Sequence, residues 1–73
     1  MTKLPILSGR ECVKALEKAG FHLDRQKGSH LMLYRDDPAS LVVVPNHKEL
    51  DRGTLKSIIR QAGLSDEEFA KLL

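Results

Sequence analysis

Four side chains in this 73-residue sequence suit proton transfer or nucleophilic attack: His22, His30, His47 and Cys12. The three histidines have no metal-ligand spacing, and the lone cysteine offers no partner for a zinc site, so no metal is expected. Cys12 falls on the apolar stripe of a helical pattern and reads as packing rather than nucleophile. His30 stands apart. It sits in "KGSHLMLY", between a small Gly28-Ser29 pair and a run that reads as a buried strand. Small residues there let a substrate backbone come close, the imidazole exchanges protons near pH 7, and Arg25, Lys27 and Arg35 supply cations for phosphates. One imidazole without a fixed partner is more often a plain surface residue, so spacing alone does not make His30 a catalyst.

The elements that must position His30 follow from periodicity. Residues 1–7, "MTKLPIL", form a leader in which Pro5 discourages helix. Ser8-Gly9-Arg10-Glu11 has capping-box spacing, and Cys12, Val13, Leu16 and Ala19 recur as the buried stripe of a first helix that Gly20 stops. Strand-like patterns then cover about 21–26, 29–35 and 41–45, the last of them β-branched, central or well covered, and closed by Pro45. Leu55, Ile58, Ile59 and Ala62 mark a second amphipathic helix, with Asp51 as N-cap and Gly63 as stop. Ser65-Asp66-Glu67-Glu68 repeats the capping box and starts a short C-terminal helix in which Phe69, Leu72 and Leu73 are placed to pack.

The order α-β-β-β-α plus a terminal turn of helix defines an α+β domain, with both longer helices on one face of a three-stranded antiparallel sheet. The opposite sheet face is left open. Hairpin register decides which face carries His30. A three-residue loop, Gln26-Lys27-Gly28 with Gly28 left-handed, pairs Arg25 with Ser29, Leu23 with Leu31 and Phe21 with Leu33. His30 then lies on the open face with Met32 and Tyr34, opposite Asp24, while a two-residue Lys27-Gly28 turn would set it opposite Arg25 and mix leucines with Asp24 and His22. The first register gives the coherent apolar face and is preferred.

Composition bounds the function class. With 41% hydrophobic and 30% charged residues the chain is globular, and one small domain is all it can hold. No apolar stretch is long enough to span a bilayer, and no cysteine pair is available for a disulfide, so a cytoplasmic location is expected. The net charge is +2. The last ten residues are acidic, and residues 1–63 hold eleven basic against seven acidic side chains, a net +4 that weakly favours a polyanionic partner.

Taken together, "GF…RQKGSH", "VVVPNH" and "ELDRGTLKSIIRQAGLSDEEF" resemble the HicA toxin family, the YcfA-like mRNA interferases, over nearly the whole chain from about Ser8 to Leu73. The resemblance implies a double-stranded-RNA-binding-like fold and a cytoplasmic toxin that cleaves messenger RNA. It also implies inhibition by a HicB-type antitoxin encoded by the adjacent gene. The family's catalytic histidine is that of the G-S-H motif, here His30 after Gly28 and Ser29, and His47 falls in a P-x-H element. Arg25, Lys27, Gly28 and Ser29 beside it are expected to hold RNA, and the antitoxin to cover the face around His30, Met32 and Tyr34; Asp24 matches no family position, and its expected role as orienter of His30 follows from the preferred register alone. No cofactor or metal is implied. A noncatalytic RNA-binding module of the same fold is the competing expectation.

Overall fold

A computed structural model describes residues 3–73; Met1 and Thr2, the start of the expected leader, lie outside it. The elements run α1 (Gly9–Lys18), β1 (His22–Lys27), β2 (His30–Asp36), β3 (Ala39–Pro45), α2 (Arg52–Gln61) and α3 (Asp66–Ala70). The sheet is antiparallel with order β1-β2-β3, so β2 rather than β3 is central. Both capping boxes form. The Ser8 hydroxyl accepts from the Glu11 N–H at 3.1 Å while the Glu11 carboxylate accepts from the Ser8 N–H at 2.9 Å. Ser65 and Glu68 repeat this at 3.0 and 2.8 Å, and Asp51 caps α2 by accepting from the Thr54 N–H at 2.7 Å.

The core lies between the two longer helices and one face of the sheet. Cys12, Val13, Ala15 and Leu16 of α1, Leu55, Ile58 and Ile59 of α2, and Leu31, Leu33, Val42 and Val44 of the sheet are all buried. Burial pushes the Cys12 thiol up to about 12, which keeps it protonated and unreactive, as its place on the stripe implied. β3 is an edge strand by hydrogen bonding, but α2 packs against it.

Two expectations change, and the leader gains a role. It is non-helical, as Pro5 implied, and it packs: Leu4 and Leu7 are buried, and the Leu7 carbonyl accepts from the Leu50 N–H at 2.7 Å. A proline-containing extended segment has no helical or strand period, so its packing is invisible to pattern reading. Leu73 stays 48% exposed while Phe69 is fully buried, since α3 is only five residues long and ends before it. Arg35 does not face a ligand. Its guanidinium lies over the Phe21 ring at 4.5 Å and donates to the Pro38 carbonyl at 3.0 Å and the Ala62 carbonyl at 3.2 Å, fastening the C-terminal end of α2 to the sheet.

Candidate functional site

The hairpin that presents His30 closes with a two-residue turn, Gly28-Ser29, so Lys27 pairs with His30. Gly28 has φ +59° and Ser29 does not enter the positive region, the order of a type II′ turn, which matches the twist of the flanking strands. Neither register weighed from sequence is the one formed. Gln26 pairs with Leu31 and Arg25 with Met32; Asp24 is then an extra residue, a bulge, before Leu23 pairs with Leu33 and His22 with Tyr34.

The bulge determines which residues share a face. Without it, alternation would turn either His22 or Arg25 away from the open side; with it, both point there. Cross-strand partners share a face, so the open side carries three rows: His22, Tyr34 and Leu41; Arg25, Met32 and Val43; Lys27, His30 and Pro45. His30 is thus exposed on the open face as expected. The cations beside it, Arg25 and Lys27, are its neighbours by geometry rather than by sequence proximity alone. The expectation that Asp24 orients His30 fails: Asp24 sits in the bulge, and its carboxylate meets the Arg25 guanidinium at 3.3 Å. Leu23, expected in the core, is 39% exposed on the edge strand, while Phe21 is buried just outside it.

The surroundings of His30 are held by backbone contacts. The Ser29 carbonyl accepts from the Asn46 N–H at 2.6 Å, and the His47 carbonyl accepts from the Gly9 N–H at 2.8 Å. Hence "GSH" and "PNH", seventeen residues apart in sequence, form one corner against the start of α1. Gly9 is obligatory there, because a Cβ would collide with the Pro45 carbonyl and lie 3.1 Å from the Asn46 Cα. His47 is exposed; hydrogen bonds from Thr54 hold the Asp51 carboxyl below its ordinary range, and the nearby His47 adds a smaller push in the same direction.

Beyond β3 the open face falls into a depression of about 540 Å³, with His30, Val43 and Pro45 on the sheet side and Thr54, Ser57 and Gln61 on the α2 side. Sequence reading singled out only the apolar stripe of α2 and gave these residues no role, so it missed their part in a wall. Their i, i+3, i+7 spacing was the available signal. Among the described residues no group of three or more His, Cys, Asp or Glu side chains is placed to hold a metal ion, and no helix is long and apolar enough to cross a membrane.

The arrangement offers a proton-transfer group, two cations and an open groove on one surface. A search of curated proteins gives no match. Residues 9–64 match the family described as HicA toxin of bacterial toxin-antitoxin. That match runs from the first residue of α1 to just past α2 and spans more than half of the sequence, so the chain belongs to the HicA toxin family.

Proposed function

We propose that this protein is the toxin of a type II toxin-antitoxin pair, a cytoplasmic endoribonuclease that cleaves messenger RNA with His30 and is neutralised by a HicB-type antitoxin. Family membership supports the general toxin and RNA-binding role. The observation that carries the finer reading is the two-residue Gly28-Ser29 turn, which pairs Lys27 with His30 and Arg25 with Met32 and so sets both cations on the same face as His30. Cations on that face hold the phosphate while the imidazole moves the proton. Gly28 and Ser29 keep the approach to His30 unobstructed, since even a Cβ at Gly28 would meet nothing within 4 Å.

In the proposed reaction the RNA 2′-oxygen attacks its own phosphorus. The P–O5′ bond breaks, the 2′-hydroxyl proton is removed, and the departing 5′-oxygen gains one. The products are a 2′,3′-cyclic phosphate and a 5′-hydroxyl, and His30 serves one of the two proton transfers. Arg25 and Lys27 stabilise the charge that builds on the phosphoryl oxygens. The step needs no metal.

The test is induced expression and in vitro cleavage by the wild type beside His30→Ala. Loss of a general acid or base lowers the rate on the order of 10²- to 10⁴-fold, while an exposed strand residue changes stability by about 0.5 kcal/mol or less. Folded His30→Ala should neither cleave RNA nor arrest growth, and the wild type should not cleave a substrate with 2′-deoxyribose at the scissile position. Wild-type rates from folded His30→Ala would remove His30 from the mechanism. A folded wild type that binds RNA but never cleaves it would leave the noncatalytic module.

A further inference from the structure

The depression beside His30 is asymmetric in charge. Arg25 and Lys27 lie on the β1 side of His30, whereas the lining on the other side includes no lysine or arginine and does include Asp51. Asp51 caps α2, and its hydrogen bonds from Thr54 hold its carboxyl below the ordinary carboxylate range, so it is ionised at neutral pH. A phosphate is therefore unwelcome at this end, and the helix N-terminus that would attract one is already occupied by its own cap. The α2 wall is neutral and polar: Thr54, Ser57 and Gln61 follow one another along one side of the helix, and Val43 and Pro45 provide an apolar floor. Gln61 makes only a long 3.5 Å contact to the Ser57 hydroxyl, which leaves its amide donor and acceptor free for another partner.

α2 is held firmly enough to act as a wall. Ser40 donates to the Gln61 carbonyl at 3.0 Å and Arg35 to the Ala62 carbonyl at 3.2 Å, tying its last turn to the sheet. The depression's volume of about 540 Å³ lies within the roughly 300 to 1,000 Å³ typical of ligand pockets. Neighbouring strands are about 5 Å apart, so a phosphate at His30 has its own base within reach of the groove next to Pro45.

We propose that this groove receives one unpaired nucleobase next to the scissile phosphate, with Ser57 and Gln61 reading its edge and Val43 and Pro45 packing on its face. This rests on the RNA-binding reading and deepens it: β1 holds the backbone, and α2 selects the base. An apolar floor with a few placed donors and acceptors is what recognition of a single-stranded base requires.

The experiment uses the whole chain and four 2′-O-methylated octanucleotides of uniform sequence, which bind without offering a free 2′-hydroxyl. Affinities are measured together with amide NMR shifts for wild type, Ser57→Ala and Gln61→Leu. One base should bind on the order of tenfold more tightly than the others, with shifts at Thr54, Ser57 and Gln61 as well as at His30, and Gln61→Leu should level the four affinities. The proposal is overturned by shifts confined to residues 25–34, by base discrimination unchanged in Gln61→Leu, by equal wild-type affinities, or by the same α2 shifts on adding inorganic triphosphate. Cleavage by His30→Ala is scored separately. A failed catalytic reading with intact base discrimination would leave the pocket standing, and the reverse would remove the pocket alone.

Discussion

Strand β2 is one backbone with two unlike faces. Leu31 and Leu33 are completely buried against the helices, while His30 and Tyr34, which flank them in sequence, are exposed and Met32, between them, is half-buried. The difference shows how a small fold exposes an imidazole without weakening itself: strand alternation gives stability to one face and leaves the other open. The described residues contain no buried polar or charged side chain, so the core makes no concession to the site.

The comparison breaks most readily at Leu33. Leu33→Ala removes a fully buried side chain and leaves a cavity, for an expected loss of about 2 to 5 kcal/mol. In a domain of this size that is much of the total stability. Chemical denaturation should show it, whereas Met32→Ala should lose markedly less. Equal losses at the two positions would mean that the open face is covered in the free protein.

Within the open face a second contrast is visible. Near the turn it is cationic; at the other end Tyr34 is 37% and Leu41 54% exposed, and the His22 ring meets Tyr34 edge-on at 5.8 Å. An apolar, aromatic patch beside the site is a natural landing surface for the proposed antitoxin, which would then shield His30 from RNA. Leu41→Asp should weaken antitoxin binding by tenfold or more in calorimetry while RNA cleavage by the free protein is retained. Undiminished binding would place the inhibitor elsewhere.

Much of this was legible in the sequence, for local reasons. Capping boxes are written into four consecutive residues, and the stripes of α1 and α2 follow from helical period. The two faces of β2 were assigned correctly even with the wrong register, because alternation within a strand does not depend on its partner. The register differs although Gly28-Ser29 carries the type II′ signature, since the three-residue loop offers a more regular apolar face, Phe21 and Leu23 opposite Leu33 and Leu31. That face is not formed: β1 is exposed along its whole length, and the bulge at Asp24 has no local sequence mark because it arises from pairing with β2. Arg35 was counted as a phosphate ligand by its charge, whereas its contacts with Phe21, Pro38 and Ala62 are all tertiary.

The helix caps stand outside both faces and provide a control on them. Ser8→Ala should cost about 1 kcal/mol and leave His30 chemistry unchanged. Hydrogen bonds from Ser8 hold the Glu11 carboxyl below its ordinary range, and those from Ser65 do the same for Glu68. For such depressed acids the stabilisation is fully present above the unfolded-state pKa and disappears as pH falls through the lower folded-state value. Thermal melts of wild type and Glu11→Gln, which keeps the hydrogen-bonding shape without the charge, should therefore differ at neutral pH and converge below the carboxylate range. A gap that widened on acidification would reverse the assigned direction.

The smallest expected effect is the one that tests the site's geometry most closely. Asp24 was expected opposite His30, and in that position its loss would misorient the imidazole and cut the rate on the order of a hundredfold. In the bulge it pairs instead with its neighbour Arg25, an exposed contact of 3.3 Å worth only a few tenths of a kcal/mol. Asp24→Ala should change the initial rate of RNA cleavage by no more than about twofold, and loss of the acidic neighbour should if anything strengthen RNA binding through Arg25. Arg25→Ala, by contrast, removes a cation from the row beside His30 and should weaken binding and flatten its dependence on salt by about one phosphate contact. Should Asp24→Ala prove as damaging as His30→Ala, the carboxylate must reach the imidazole, and the bulged register could not be the one that works on RNA.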